Sequence, residues 1–554
     1  MRPLRALPAF GAIAQLTALA VSCVLTSTPC AADTYPRQAG VDVQHYTFRV
    51  TLADDSDEIV GETTVALQFA EGNVAGFELD LASASSGKGM TVASVTSAGA
   101  PARYEHRENR LRITLDPPPR SGERREFTVA YRGVPAGGLR IGPNRHGERT
   151  FFSENWPDKA RQWLPTIDHP YDKATSEFLI VAPVRYQAVA NGLLQEERDL
   201  ADGRRLTHWK QSVPIATWLN AIGVARFSSH HAGTVRGVPL QTWVFPQDRD
   251  AGLATFEGVA RRALEFYGEH IGPYAYEKLA NVQAAGLRGG TEHASAIFYE
   301  ERSASGREAT TLVAHEVAHQ WFGDSVTERD WDDVWLSEGF ATYFTLLFTE
   351  HDHGRDAFVA GLKRSRDLVF AAEARETGLA VLHTNLADTR KVLNPLVYQK
   401  GGWMLHMLRG QLGTDTFWAG IREYYRRHRD GHASTDDFRR VMEETSGRDL
   451  SGFFRQWLAR AGSPAVEGTW SHDPSAGQLV VELTQTQPGE PYCLPIEIGI
   501  SNDGSSTARI EKAELTDRSH RFEFSAAKEP STVTLDPNCW VLMKSSLKRR
   551  PAAP

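Results

Sequence analysis

His315 and His319 stand four residues apart with Glu316 between them. In a helix, positions i and i+4 share one face, one turn apart. Two imidazoles so placed suit a zinc ion, whose histidine nitrogens lie at about 2.0–2.1 Å and must converge on one point. Glu316 projects toward the same pocket without having to be a ligand, so it is placed to take the proton of a metal-bound water. Eighteen residues separate His319 from Glu338. That spacing lets a second helix return past the first and offer a carboxylate to the same ion. Two histidines and one glutamate leave a fourth position for water, which is the arrangement of a catalytic rather than a structural zinc site. The competing reading is a buried histidine pair beside a surface carboxylate.

The elements that must position these groups are legible in outline. Ser305 and Glu308 are spaced as a capping box for the helix that bears the histidines. Val313, Val317 and Trp321 form its core stripe, and Gly323 is a plausible stop. Upstream, residues 251–272 show helical periodicity, and helical segments continue to about 462. From about 41 to 235 the chain instead alternates with period two, as in Tyr46-Thr47-Phe48-Arg49-Val50. Strand patterns return over 466–545. The expectation is a multidomain α and β protein. It has a β-rich domain at 33–235, a mostly helical catalytic domain at 236–465, a β-sandwich at 466–545 and a basic tail at 546–554.

Composition bounds the function. The 554 residues carry a net charge of −8, which gives no basic surface for nucleic acid. Arg2 and Arg5, an apolar run over 9–26 and the small residues before Asp33 read as a secretory signal peptide. Cleavage is expected after Ala32, in a secreted or periplasmic protein. The alternatives are lipid attachment at Cys23 and a membrane anchor, for which the run is short. No later segment is apolar enough to span a bilayer. Cys493 and Cys539 either pair in an oxidising compartment or stay as two buried thiols. Lys544, Lys548, Arg549 and Arg550 read as a solvated, frayed end. His351-Asp352-His353 tempts a second metal site, but at a helix end it reads as structural.

The segment His315 to Asp324, followed by Trp335-Leu336-Ser337-Glu338-Gly339-Phe340-Ala341, resembles the zinc aminopeptidases of peptidase family M1, the gluzincin group. The resemblance extends to Arg161, Pro165, Asp168, Pro170, Lys173 and Ala174, to Tyr398-Gln399-Lys400-Gly401, and to the stretch from Phe438 to Trp457. It implies a β-saddle N-terminal domain, a thermolysin-like catalytic domain and a small β-sandwich. It also implies one Zn²⁺ per chain on His315, His319 and Glu338, Glu316 as general base, and Tyr398 as hydrogen-bond donor to the oxyanion. Gly289-Gly290-Thr291-Glu292-His293 stands where the family has Gly-Ala-Met-Glu-Asn. The resemblance makes Glu292 the anchor for the free α-ammonium of a peptide substrate. Gly289, Gly290 and His293 would complete that substrate-binding segment.

Two departures stand out. Thr291 and His293 replace the usual Met and Asn, and the imidazole brings a charge that varies with pH. Trp156 falls where many relatives place a second amine-binding side chain, with Glu154 and Asn155 as possible substitutes. The leading expectation is an aminopeptidase. The alternatives are an endopeptidase or a non-peptide (epoxide-type) hydrolase on the same zinc chemistry, and a non-catalytic scaffold. Oligomeric state is left open.

Overall fold

The computed structural model describes residues 33–305, 309–502 and 508–550. The expected signal peptide and Glu308 of the expected capping box lie outside the described residues.

The period-two pattern of the first region forms an eight-stranded sheet. Its central strands are Val41–Thr51, Ile59–Phe69, Arg124–Val134 and Lys173–Pro183. Along Ile59–Phe69 every second residue is buried, the signature of one face turned to a core. A four-stranded sheet containing Arg149–Ser153 and a three-stranded sheet of Gly76–Asp80, Arg110–Thr114 and Tyr104–Arg107 complete this β-rich domain.

A five-stranded sheet links that domain to the helices. Its strands run in the order Ser228–Val235, Val238–Val244, Leu279–Ala284, Ala296–Glu300, Gly290–Thr291. Alternate residues serve two cores. Leu240, Val244, Leu279, Ile297 and Tyr299 pack with the helices. Trp243, Ala280, Val282 and Phe298 pack with the β-rich domain. Both faces are therefore apolar, as a sheet buried on two sides requires. Because Ser228–Val235 is hydrogen-bonded to Val238–Val244, the expected boundary between 235 and 236 cuts through this sheet.

Helix α1 (Arg249–His270) covers the helical face, with Phe256 stacked on Tyr299 at 4.8 Å. It starts and ends two residues earlier than periodicity suggests. Helix α2 (Ala309–His319) carries both histidines, and α3 (Trp335–His353) carries Glu338. α2 ends at His319, ahead of the expected stop at Gly323. Between α2 and α3, the strand Val326–Glu328 pairs with Gly431–Ala433. Lys173 of the β-rich domain braces this connection. Its Nζ donates to the carbonyls of Asp324, Ser325 and Gly431 at 2.9, 3.0 and 3.1 Å. At the end of α3, Asp352 is held by Arg262 at 2.9 and 3.1 Å, which matches the structural reading of that segment. Among the described residues no helix is long and apolar enough to cross a membrane.

The C-terminal strands form a four-stranded and a three-stranded sheet. One expectation is corrected here. The supposed frayed basic end is the strand Lys544–Arg549, parallel to Ala465–Asp473. Arg549 lies 5.7 Å from the Trp470 ring, and Arg550 pairs with Glu482. Charged side chains are what an edge strand carries to deter further pairing, and they hid the strand. Cys493 is exposed, Cys539 is buried, and both are free thiols.

His406 joins the sandwich to the helices. Its Nε2–H donates to the Cys539 carbonyl at 2.9 Å, and Nδ1 accepts from the Tyr343 hydroxyl at 3.2 Å. Burial, with the carbonyl contact opposing it and Arg355 and Arg409 reinforcing it, brings its pKa down to about 3. The unfolded chain therefore takes up this proton first, and stability falls as pH drops from about 6.5 toward 3. The slope from this residue is about 1.4 kcal/mol per pH unit. Urea denaturation at stepped pH should show His406→Gln losing roughly one proton's worth of slope relative to the wild type. Parallel curves would contradict this role.

Candidate active site

Three ligand atoms converge between α2 and α3. His315 Nε2 lies 3.1 Å from His319 Nε2, and Glu338 Oε2 lies 3.5 and 3.4 Å from them. Donors at about 2.05 Å in tetrahedral array stand about 3.3 Å apart. The triangle thus has the size a zinc ion demands. Glu338 Oε2 is buried with no hydrogen-bond donor, as an oxygen kept for a metal should be. Among the described residues this is the one cluster of histidine, cysteine or carboxylate groups with such convergence.

Neighbouring groups orient the ligands. His319 Nδ1 lies 3.1 Å from both the Phe322 carbonyl and Ser337 Oγ. A proton on Nδ1 leaves the Nε2 lone pair facing the metal position. A Cβ on Gly323 would meet Ser337 Oγ at 2.3 Å, so the turn after α2 needs glycine there. The Tyr398 hydroxyl donates to Glu338 Oε1 at 2.9 Å, and its ring stacks toward His315 at 6.3 Å. His319 and Glu338 are buried, whereas His315 and Tyr398 are partly exposed. The centre therefore opens on the side of His315 and Tyr398.

The electrostatics follow from burial. Desolvation works to raise the Glu338 pKa, but the two imidazoles outweigh it and hold it at about 2. Desolvation raises Glu316 well above the usual carboxylate range, and Glu292 adds to the effect. Glu292 is raised in the same way, against the pull of His319.

The segment before Glu292 approaches Glu316 closely. A Cβ on Gly290 would lie 2.4 Å from Glu316 Oε1 and 2.5 Å from its Cδ. Gly289 precedes it at φ +71°. Gly290 and Thr291 form the edge strand, paired with Tyr299 and Phe298. Glu292 follows, its carbonyl accepting from Nε2 of Gln320, the neighbour of the ligand His319, at 2.8 Å, and its charge acts on His319 and Glu316.

His293 differs from expectation. It has no exposed surface, its Nε2 lies 3.4 Å from the Ser153 carbonyl, and its ring packs edge-on to Phe298 at 4.9 Å. Burial lowers its pKa to about 4. It is a neutral packing group between the two domains rather than a pH-dependent substrate contact. Asn155 is spent on the Asn220 carbonyl and the Trp163 indole, and Glu154 pairs with Lys159. Trp156 packs on Trp331 at 5.7 Å. Asn155 is thus committed elsewhere, whereas the Glu154 carboxylate stays partly exposed in a weak surface pair with Lys159.

These features define a gluzincin-type zinc centre beside an edge strand. Sequence profiles agree: the Peptidase family M1 domain matches residues 257–457, and the Peptidase M1 N-terminal domain matches 42–219. An M1 zinc metallopeptidase from Deinococcus radiodurans superposes with a TM-score of 0.65 at 26% identity, covering 78% of this chain and 95% of that one. Legionella pneumophila aminopeptidase A, solved with aspartic acid, shares the fold with a TM-score of 0.79 at 18% identity, over 93% of this chain and 60% of that one. Glutamyl aminopeptidase of Bitis rhinoceros is 27% identical over 330 residues, 57% of this chain, and the chain spans 34% of that protein's length. The chain belongs to peptidase family M1.

Gly290→Ala provides a direct test of the close approach. Its methyl group must displace Glu316, so peptide hydrolysis should fall by about 10²-fold or more while zinc content stays at one per chain. Full activity in this variant would show that Glu316 has room to spare.

Proposed function

We propose that this protein is a zinc aminopeptidase that removes N-terminal residues from peptides with a free α-amine. The observation that carries the reading is Glu292, a buried carboxylate without a salt-bridge partner among the described residues, whose backbone carbonyl is held by Gln320, the residue that follows the ligand His319. When bound, zinc polarises the scissile carbonyl and lowers the pKa of a water to about 7.

The chain's own residues do the rest. Glu316 takes the proton of the attacking water and returns it to the leaving amine. Its raised pKa suits both halves of that transfer. The Tyr398 hydroxyl turns from Glu338 Oε1 to donate to the oxyanion as charge develops there. Glu292 accepts charge-assisted hydrogen bonds from the substrate ammonium. The edge strand at Gly290 and Thr291 supports this by offering backbone groups to an extended peptide. Export to the periplasm or exterior, read from residues 1–32, belongs to the same proposal.

Paired aminoacyl substrates, with the amine free or acetylated, test it on zinc-loaded protein. Free-amine substrates should be cleaved and acetylated ones should not. Equal rates on both would replace the aminopeptidase reading with an endopeptidase one. Glu316→Gln should lose about 10²–10⁴-fold in kcat. Chelation should abolish activity, and added zinc should restore it.

A further inference from the structure

The peptide from Glu292 to Ser295 is held from several sides, and one residue that the mechanism does not use contacts it at both ends. Gln320 follows the ligand His319 directly and is fully buried. Its Nε2 donates to the Glu292 carbonyl at 2.8 Å and to Asp324 Oδ2 at 2.7 Å. Its Oε1 accepts from the Ser295 amide at 2.8 Å and lies 3.0 Å from the Tyr274 hydroxyl, whose single proton it shares with the Lys278 carbonyl, also at 3.0 Å. One carboxamide thus grips both ends of the segment that begins with the amine anchor.

The far end of the segment is strained. Ser295 has φ +64°, a conformation that a non-glycine residue keeps only where its surroundings over-determine it. Here they do. Lys278 Nζ donates to the Ser295 carbonyl at 3.1 Å, and the Gly192 amide donates to Ser295 Oγ at 2.7 Å. Asn191 Nδ2 donates to the Ala294 carbonyl at 2.7 Å. These contacts fix the segment to the sheet and the β-rich domain. Among the described residues, Gln320 links it to the helix end that carries the ligand His319.

We propose that Gln320 is a positioning residue that sets the separation between the metal centre and Glu292, and so makes the free amine count in substrate binding. This rests on Glu292 being the amine anchor. A peptide's α-amine and first carbonyl are a fixed number of bonds apart, so an anchor and a metal recognise them together only if their own spacing is held to a fraction of an ångström. His319 and Gln320 are covalently adjacent, and the amide hydrogen bond from Gln320 reaches the Glu292 backbone. The link therefore runs from the His319 backbone through the Gln320 side chain and one hydrogen bond to the Glu292 backbone. A buried glutamine that only stabilised the fold would affect the metal site and the amine site alike.

Two inhibitors separate these possibilities. Acetohydroxamate offers a metal-binding group without an amine, whereas alanine hydroxamate offers both. The wild type should prefer alanine hydroxamate by about tenfold or more, the worth of a charge-assisted hydrogen bond. Gln320→Leu should lose most of that preference while keeping one zinc per chain and an acetohydroxamate Ki within about twofold of wild type, since the ligands keep their own orienting groups. Tyr274→Phe removes one contact to Gln320 and should cut the preference about two- to threefold, a milder change that also serves if Gln320→Leu does not fold. An undiminished preference in Tyr274→Phe, or in folded Gln320→Leu, overturns the proposal. So does an equal loss of both inhibitors. A wild type with no preference would instead refute the amine-anchor role of Glu292.

Discussion

The structure depends on gathering negative charge around one buried point. Glu292, Glu316 and Glu338 all lie nearly out of reach of solvent, with Asp324 and Glu328 close enough for their charges to be felt. Burying so many carboxylates is costly unless cations or hydrogen bonds compensate. Two imidazoles meet part of that demand at Glu338. The rest is the kind of field a divalent cation satisfies, and the ligand triangle has the dimensions to hold one. The same field leaves Glu316 with a raised proton affinity, which suits the proton transfer proposed for it.

Such a cluster is stable only if its frame is rigid, and the frame comes from outside the two metal-binding helices. Lys173 reaches from the β-rich domain to the turn after α2. Asp33 accepts from the Trp331 amide at the start of the turn into α3, and also contacts His169. Asn191 and Gly192 hold the segment after Glu292. The β-rich domain thus acts as a buttress for chemistry located in its neighbour. The five-stranded sheet with two apolar faces is what lets both sides share it.

The parts of this architecture readable in the sequence are those with a local period or a compact motif. His315, Glu316, His319 and Glu338 were legible because helix geometry converts spacing into convergence. Ile59–Phe69 was legible because alternation survives in a half-buried strand. The fold and zinc centre also followed from a family resemblance that the sequence profiles bear out. Less was legible where several distant segments meet. Ser337 sits beside Glu338 as a small hydroxyl in the first turn of α3, yet its contact with His319 depends on how two helices cross. Gln320 stands inside the motif, but its partners Glu292, Ser295 and Tyr274 lie 25 to 46 residues away. His293 looked like a substrate contact in sequence and is a packed wedge, because burial is a tertiary property. The strand Lys544–Arg549 was masked by its own charges.

The most direct test of the account is the zinc X-ray absorption spectrum of the metal-loaded protein. Two imidazoles and only nitrogen or oxygen donors, at about 2.0–2.2 Å, are expected, with one zinc per chain. A sulfur shell at about 2.3 Å, or fewer than two imidazoles, would contradict it.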